Sequence, residues 1–268
     1  MHPMLNIAIR AARRAGTIIM RGQQRLYEVQ ITRKGHHDYV TQIDKDAEAV
    51  IIDTLRTAYP DHQIVAEESG DSGGTSDYCW VVDPLDGTLN FMHGYQQFAV
   101  SIALLVKGRI DQAVVYDPVR DELFTASRGV GAQLNGHRLR VSKVLHLEEA
   151  LLATGFPVRN KAALGAYLSS FAAVLDRCAD VRRAGAAALD LAHVACGRLD
   201  GFWEFGLQPW DIAAGALLVQ EAGGLVGDPD GGETHMASGN IVAGNPKVFR
   251  QMIGTLARRE GGRAAEAH

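Results

Sequence analysis

The stretch Trp80-Val81-Val82-Asp83-Pro84-Leu85-Asp86-Gly87-Thr88 constrains this chain more than any other. An apolar run of strand character delivers two carboxylates, three residues apart, onto a turn stiffened by a proline that has a fixed φ and no N–H. The Leu85 carbonyl can point toward the same place as Asp83 and Asp86. Gly87 and Thr88 then present backbone N–H groups where Thr88-Leu89-Asn90-Phe91 starts a helix, a position that suits an anion. Carboxylates beside an anion site make electrostatic sense when hard cations lie between them, and that combination describes a magnesium-dependent phosphate site. The plainer alternative for Asp-x-x-Asp-Gly is a solvated turn. An EF-hand calcium loop is excluded, because Leu85 stands where that loop needs an oxygen ligand.

Further acids favour the cation reading. Glu67-Glu68 follows the apolar run Ile64-Val65-Ala66, and Asp211 opens a later helical stretch behind Trp210. Each alone could be a surface charge or a helix cap; together with Asp83 and Asp86 they supply enough carboxylates for two or three Mg²⁺ ions. Other chemistries find less support. Gly70-Asp71-Ser72-Gly73-Gly74 matches a serine-protease nucleophile segment, but no partner histidine segment accompanies it, and a polar loop is expected. No G-x-x-x-x-G-K-[ST] or G-x-S-x-G occurs, and His36, His37 and His93 read as exposed loop histidines. Three cysteines without a C-x-x-C pair exclude a disulfide scaffold and suit a reducing, cytoplasmic setting. With 27 basic and 31 acidic residues the net charge is −4, unlike a chain devoted to bulk nucleic-acid binding. The longest apolar stretch, residues 99–106, is too short to span a bilayer.

The pattern along the chain alternates helix and strand. Leu5, Ala8, Ile9, Ala12 and Ile19 recur at helical spacing, so the arginine-rich N-terminus reads as an amphipathic helix rather than a transit peptide. Thr41 and Asp44 form a capping-box signal for a second helix that stops before Pro60. Strands are expected at 64–66, 80–82, 99–106, 112–116 and 123–126, with a polar loop over 69–77 and a tight turn at Asn135-Gly136. Helices follow near 162–175, 186–195 and 211–221, with strands at 202–205, 225–226 and 241–243 and a final helix before a polar tail from Arg258. The expected division is an N-terminal half, 1–145, carrying most acids, and a C-terminal half, 146–268, carrying Asp211, within one compact unit.

These residues form blocks that resemble the inositol monophosphatase family. The segment from Trp80 to Phe91 resembles its first signature, and Trp210-Asp211-Ile212-Ala213-Ala214-Gly215, running to Glu221-Ala222-Gly223-Gly224, its second. Asp38-Tyr39-Val40-Thr41-Gln42-Ile43-Asp44 and Ala66-Glu67-Glu68-Ser69 are similar to two more blocks, in the same order. Residues 98–103 and 114–118 are most similar to a bacterial branch associated with the transcription machinery in ribosomal RNA antitermination.

The resemblance implies an α/β fold, a layered αβαβα sandwich shared with fructose-1,6-bisphosphatase, and a homodimer. It implies that Glu67, Asp83 and the Leu85 carbonyl hold a first Mg²⁺ and that Asp83, Asp86 and Asp211 hold a second. Thr88 and Glu67 would position the attacking water, with Asp44 holding the Thr88 hydroxyl, and the Gly87 and Thr88 amides would meet phosphate. Arg182, Ala187 and Glu204 would form the inositol side, and Glu67, Leu85, Asp86 and Asp211 would also contact substrate. The implied reaction is hydrolysis of myo-inositol monophosphate by direct attack of a metal-activated water, with lithium sensitivity. Fructose 1,6-bisphosphate, 3′-phosphoadenylate or histidinol phosphate are the alternative substrates, and a binding role with a transcription-machinery protein is the alternative function. Three departures from the family pattern bear on specificity: Gln96 where many members have Pro, Ala186 for Ser or Thr, and Ala66 for Gly.

Overall fold

The computed structural model describes residues 2–29, 31–35, 38–73, 76–158 and 161–265. The chain begins with α1 (Pro3–Gln23), a hairpin of β1 (Ile31–Gly35) and β2 (Asp38–Thr41), and α2 (Gln42–Ala58). Next come β3 (Gln63–Ala66), β4 (Gly70–Asp71), β5 (Tyr78–Asp86), the short α3 (Thr88–Met92), β6 (Ala99–Val106) and β7 (Arg109–Asp117). Then follow β8 (Glu122–Ser127), β9 (Gly131–Leu134), β10 (His137–Arg138), β11 (Leu151–Thr154), α4 (Leu164–Leu175), β12 (Asp180–Arg182) and α5 (Ala187–Ala195). The remainder is β13 (Gly201–Glu204), α6 (Pro209–Glu221), β14 (Leu225–Gly227), α7 (His235–Ser238), β15 (Ile241–Gly244) and α8 (Pro246–Ala265).

Two sheets organise these elements. The larger has eight strands in the order β10-β9-β8-β7-β6-β5-β3-β4, and the smaller has five, β12-β11-β13-β15-β14. Helices α1 and α2 cover one face of the large sheet; Leu5, Ala8, Ala12, Ala15 and Ile19 are buried there with Ile51, Leu55, Trp80 and Val114. Helices α5 and α6 lie between the sheets and share one apolar core with both. Helices α4 and α8 close the far side over Leu152, Trp203 and Val242. The architecture is the αβαβα sandwich. The large sheet ends at Arg138 and the small one starts at Leu151, yet α5 and α6, from the second half of the chain, pack against both.

The arginines of α1 lie on its outer side: Arg13 pairs with Asp121 at 3.0 Å and Arg14 with Asp53 at 3.3 Å. Among the described residues no helix is long and apolar enough to cross a membrane. Three local features differ from expectation. The polar loop over 69–77 contributes the short edge strand β4. The stretch from Arg258, expected as a tail, continues α8 through Ala265, although Gly261-Gly262 lies within it. The third, and most consequential, is that β5 does not stop at Pro84 but runs through Asp86.

Candidate active site

Strand β5 pairs Asp83 with Ser101 and Asp86 with Ala99 on β6, so three steps along one strand match two along its neighbour. This is a β-bulge, placed where Pro84 cannot donate to the ladder. On a regular strand, residues three apart face opposite sides of the sheet. The extra residue reverses that parity, and Asp83 and Asp86 reach the same side. Beyond the bulge, Gly87 adopts φ +91° and opens α3; a Cβ there would lie 2.8 Å from the Gln97 carbonyl oxygen, so the turn needs glycine.

Other elements bring the remaining acids to this place. Strand β3 runs parallel to β5 with Ala66 opposite Val82, and the Glu67 amide bonds the Val82 carbonyl at 3.1 Å. Glu67 therefore leaves the sheet at the same carboxyl-terminal rim as Asp83. Asp211 is the third residue of α6, where its Oδ2 accepts from the Gln208 amide at 2.7 Å in a capping box. The Ser101 hydroxyl donates to the Trp210 carbonyl at 3.1 Å, fastening that helix start to β6. Asp86 in turn accepts from the Ala188 amide at 2.8 Å and so caps α5 from another part of the chain.

Glu67, Asp83, Asp86 and Asp211 line one open cavity of about 460 Å³. Leu85, Gly87 and Thr88 form its floor, and Ala187 and Glu204 stand on its second-half wall. Asp44 sits behind the floor, fully buried, and its Oδ1 accepts from the Thr88 hydroxyl at 2.8 Å. Asp83 is 1% exposed and Asp86 8%. Burial first, then the charges of Glu67, Asp86 and Asp211, push the Asp83 carboxyl well above its ordinary range, against a bond from the Leu85 amide. Asp86 is raised likewise, by burial and then Asp211, while the Ala188 amide pulls it down. Burial also raises Asp44, opposed by its bonds from Thr41 and Thr88.

Such mutual repulsion marks a donor set suited to a cation, because the charged carboxylates are stable together only when positive charge lies among them. Among the described residues no group of three or more acids, histidines or cysteines is drawn together closely enough to hold a metal ion without further oxygen donors. A hard ion such as Mg²⁺ fits that arrangement, since it keeps waters and takes substrate oxygens beside one or two carboxylates.

Arg182 stands apart from the cavity. Its guanidinium pairs with Asp180 at 2.5 Å on the edge strand β12, and the next residue, Arg183, lines the cavity instead. Successive residues of an extended segment face opposite ways, so the arginine pair divides between surface and site. The Arg183 guanidinium lies 5.3 Å from the centre of the Phe156 ring, a cation–π arrangement. Four more residues escaped the sequence reading as individual contributors. Asn90 donates to the Gln97 and Ala184 carbonyls at 2.7 and 2.9 Å, tying α3 to the segment before α5. Ser238, the last residue of α7, and Asn240, just beyond it, also line the cavity from a stretch without a motif. Gly155 makes room for Glu204: a Cβ at that position would lie 2.0 Å from the carboxyl carbon.

The remaining candidates lie elsewhere. Ser72 is spent on the β3 edge, its Oγ accepting from the Ile64 amide at 3.0 Å, and Gly74 of that motif falls outside the described residues. His93 is exposed and is not part of the cavity wall. His36 and His37 lie outside the described residues.

Comparison with known proteins agrees with this architecture. The sequence profile of the inositol monophosphatase family matches residues 1–261. A protein named Nus factor SuhB, from Escherichia coli K12, is 56% identical over 257 residues, covering 96% of each chain. The crystal structure of the extragenic suppressor protein suhB from Bartonella henselae superposes with a TM-score of 0.93 at 44% identity, covering 95% of this chain and 98% of that one. An inositol monophosphatase structure from Anabaena superposes with a TM-score of 0.82 at 38% identity, covering 95% of both chains.

Proposed function

Because this chain belongs to the inositol monophosphatase family, we propose that it is a Mg²⁺-dependent phosphomonoesterase that converts myo-inositol monophosphate and water to myo-inositol and phosphate. The observation that carries this reading is the convergence of Glu67, Asp83, Asp86 and Asp211 on one cavity whose floor holds the Thr88–Asp44 hydrogen bond. In it, Glu67, Asp83 and the Leu85 carbonyl would hold one Mg²⁺, and Asp83, Asp86 and Asp211 a second. Bound magnesium supplies positive charge to the phosphoryl oxygens and acidifies water.

The chain's own groups do the rest. Thr88 donates a hydrogen bond to Asp44 and keeps lone pairs with which to orient an attacking water, and Glu67 lies on the same cavity to align it and take its proton. The departing inositol oxygen is protonated in turn by solvent water. The Gly87 and Thr88 amides meet the phosphate. Glu204, Ala187 and Arg183 form the leaving-group side, where a carboxylate and a guanidinium offer an acceptor and donors to hydroxyl groups. Phosphate release from inositol 1-phosphate, with and without Mg²⁺, tests the reading beside fructose 1,6-bisphosphate, 3′-phosphoadenylate and histidinol phosphate. Better than tenfold preference for another substrate would overturn the inositol assignment. A single turnover in H₂¹⁸O should place the label in phosphate with no trapped phosphoprotein. The same reading carries lithium inhibition, a cytoplasmic homodimer and two or three Mg²⁺ ions, to be checked by inhibition assay, cell fractionation, sedimentation and calorimetric stoichiometry.

A second role is supported by the name Nus factor borne by the Escherichia coli relative. Binding to a protein of the transcription machinery would use the surface rather than the cavity. Rescue of a deletion phenotype by an inactive Asp83→Asn chain would assign the cellular role to binding.

A further inference from the structure

We propose that Thr41 is a positioning residue that commits the single proton of the Thr88 hydroxyl to Asp44, and so leaves the Leu85 carbonyl oxygen open toward the cation site. The inference rests on the reading above for what Leu85 does, but its geometry is independent of it. The Thr88 Oγ1 has two acceptors within reach, Asp44 Oδ1 at 2.8 Å and the Leu85 carbonyl oxygen at 3.1 Å. A hydroxyl has one proton and can serve only one of them. If it turned to Leu85, it would take one of the two lone pairs of that carbonyl oxygen and draw electron density from the other, making a poorer cation ligand, and it would lose its hold on Asp44.

Thr41 decides the matter from the far side of the carboxylate. It is 1% exposed, at the junction of β2 and α2. Its amide and its hydroxyl both approach Asp44 Oδ2, at 2.8 and 2.5 Å. The Thr41 oxygen also accepts from the Ile43 amide at 3.1 Å, which directs its own proton to Asp44. With Oδ2 taken by two donors, the carboxylate is locked with Oδ1 toward Thr88. A charged acceptor then outcompetes the neutral Leu85 carbonyl for the Thr88 proton.

The arrangement makes a specific prediction for Asp44→Asn, a substitution of nearly identical shape. The two Thr41 donors would hold the asparagine carbonyl at the Oδ2 position, which turns its NH₂ toward Thr88. The Thr88 hydroxyl would then accept from that amide and donate to Leu85. Mg²⁺ binding, read by titration calorimetry, should weaken about tenfold, the scale of one hydrogen bond to a charged group, although Asp44 is not a cation ligand. Thr88→Val should bind Mg²⁺ within about twofold of the unaltered chain, because no hydroxyl remains to cover Leu85. Adding Asp44→Asn to Thr88→Val should then change Mg²⁺ binding no further. Thr41→Val should act in the direction of Asp44→Asn, and Thr41→Ser should restore binding. Equal weakening by Asp44→Asn with and without the Thr88 hydroxyl would overturn the proposal, since only the lost charge would then matter; so would no weakening at all. Absence of Mg²⁺ binding to the unaltered chain would overturn this inference and the metal reading together.

Discussion

Asp83 is the residue at which opposing forces are most concentrated: it is 1% exposed and has three other acids close enough to raise its proton affinity. Without a cation this is a destabilising position, and in the proposed function it is the carboxylate shared by both Mg²⁺ positions. Asp83→Asn keeps the shape and removes the charge. The metal-free variant is expected to be more stable than the unaltered chain, because it no longer buries a carboxyl whose charged form is disfavoured by burial and by three neighbouring acids. Its Mg²⁺-induced rise in Tm and its phosphatase activity should both disappear. Thermal melts in chelator and in Mg²⁺ check both halves, and an unchanged Mg²⁺ response would remove Asp83 from the donor set. Gly155 makes a different residue-scale case, in which bulk alone matters. In Gly155→Ala the new methyl would occupy the place of the Glu204 carboxyl group, 2.0 Å away, and must displace it. KM for a polyol phosphate should rise several-fold while turnover of a small aryl phosphate, which has no hydroxyls to offer, stays the same. Parallel kinetics on the two substrates separate a lost contact from a damaged site.

The elements show why some of this site could be read from the chain and some could not. The acids of β5 and the β3 rim were legible because each follows an apolar run, and Asp211 because it opens a helical stretch behind Trp210. The bulge was not, because a proline more often ends a strand than bends one, and only the pairing to Ser101 and Ala99 shows that β5 continues. Arg183 was missed in favour of Arg182 because a three-residue edge strand gives too little alternation to fix its parity. Asn90 was visible as part of a motif, but its bonds to residues more than ninety positions away are set by tertiary packing. Ala186, noted as a departure from the family pattern, has a consequence for α5. It is an N-cap of extended conformation with no side-chain cap bond, and the Ala188 amide is capped by Asp86 instead. Ala186→Ser supplies a hydroxyl for the Leu189 amide, and is expected to stabilise the fold by about 1 kcal/mol. For a chain of this size that is roughly 2–4 °C in Tm. A fall in Tm on calorimetry would mean that the packed surroundings of Ala186 leave no space for the oxygen.

On the scale of the whole molecule, burying α5 between two sheets takes its polar side chains out of water together with its apolar ones. Asp190 is buried, and desolvation raises its carboxyl to about 8, with the Arg183 charge opposing. His193, one turn further along, is held down to about 4, mainly by desolvation and then by the Arg198 charge. The two act on stability with opposite signs. The folded chain keeps the Asp190 proton that the unfolded chain has lost above its ordinary value near 3.8, so this residue makes the fold weaker as pH rises toward 8. The unfolded chain protonates its His193 below 6.5 while the folded chain resists until about 4, so this residue makes the fold weaker as pH falls through that interval. Between 4 and 6.5 the two slopes oppose each other, and between 6.5 and 8 Asp190 acts alone. Lowering the pH from 8 to 6.5, with Mg²⁺ saturating so that the cavity carboxylates stay charged, should therefore stabilise the protein by at most about 1.4 kcal/mol per pH unit. Asp190→Asn should remove that gain and melt higher than the unaltered chain at pH 8, whereas His193→Gln should leave the gain intact and relieve the loss at lower pH. Denaturant unfolding of the three chains at pH 5, 6.5 and 8 separates the two groups, and an unchanged slope above 6.5 in Asp190→Asn would show that another group carries it.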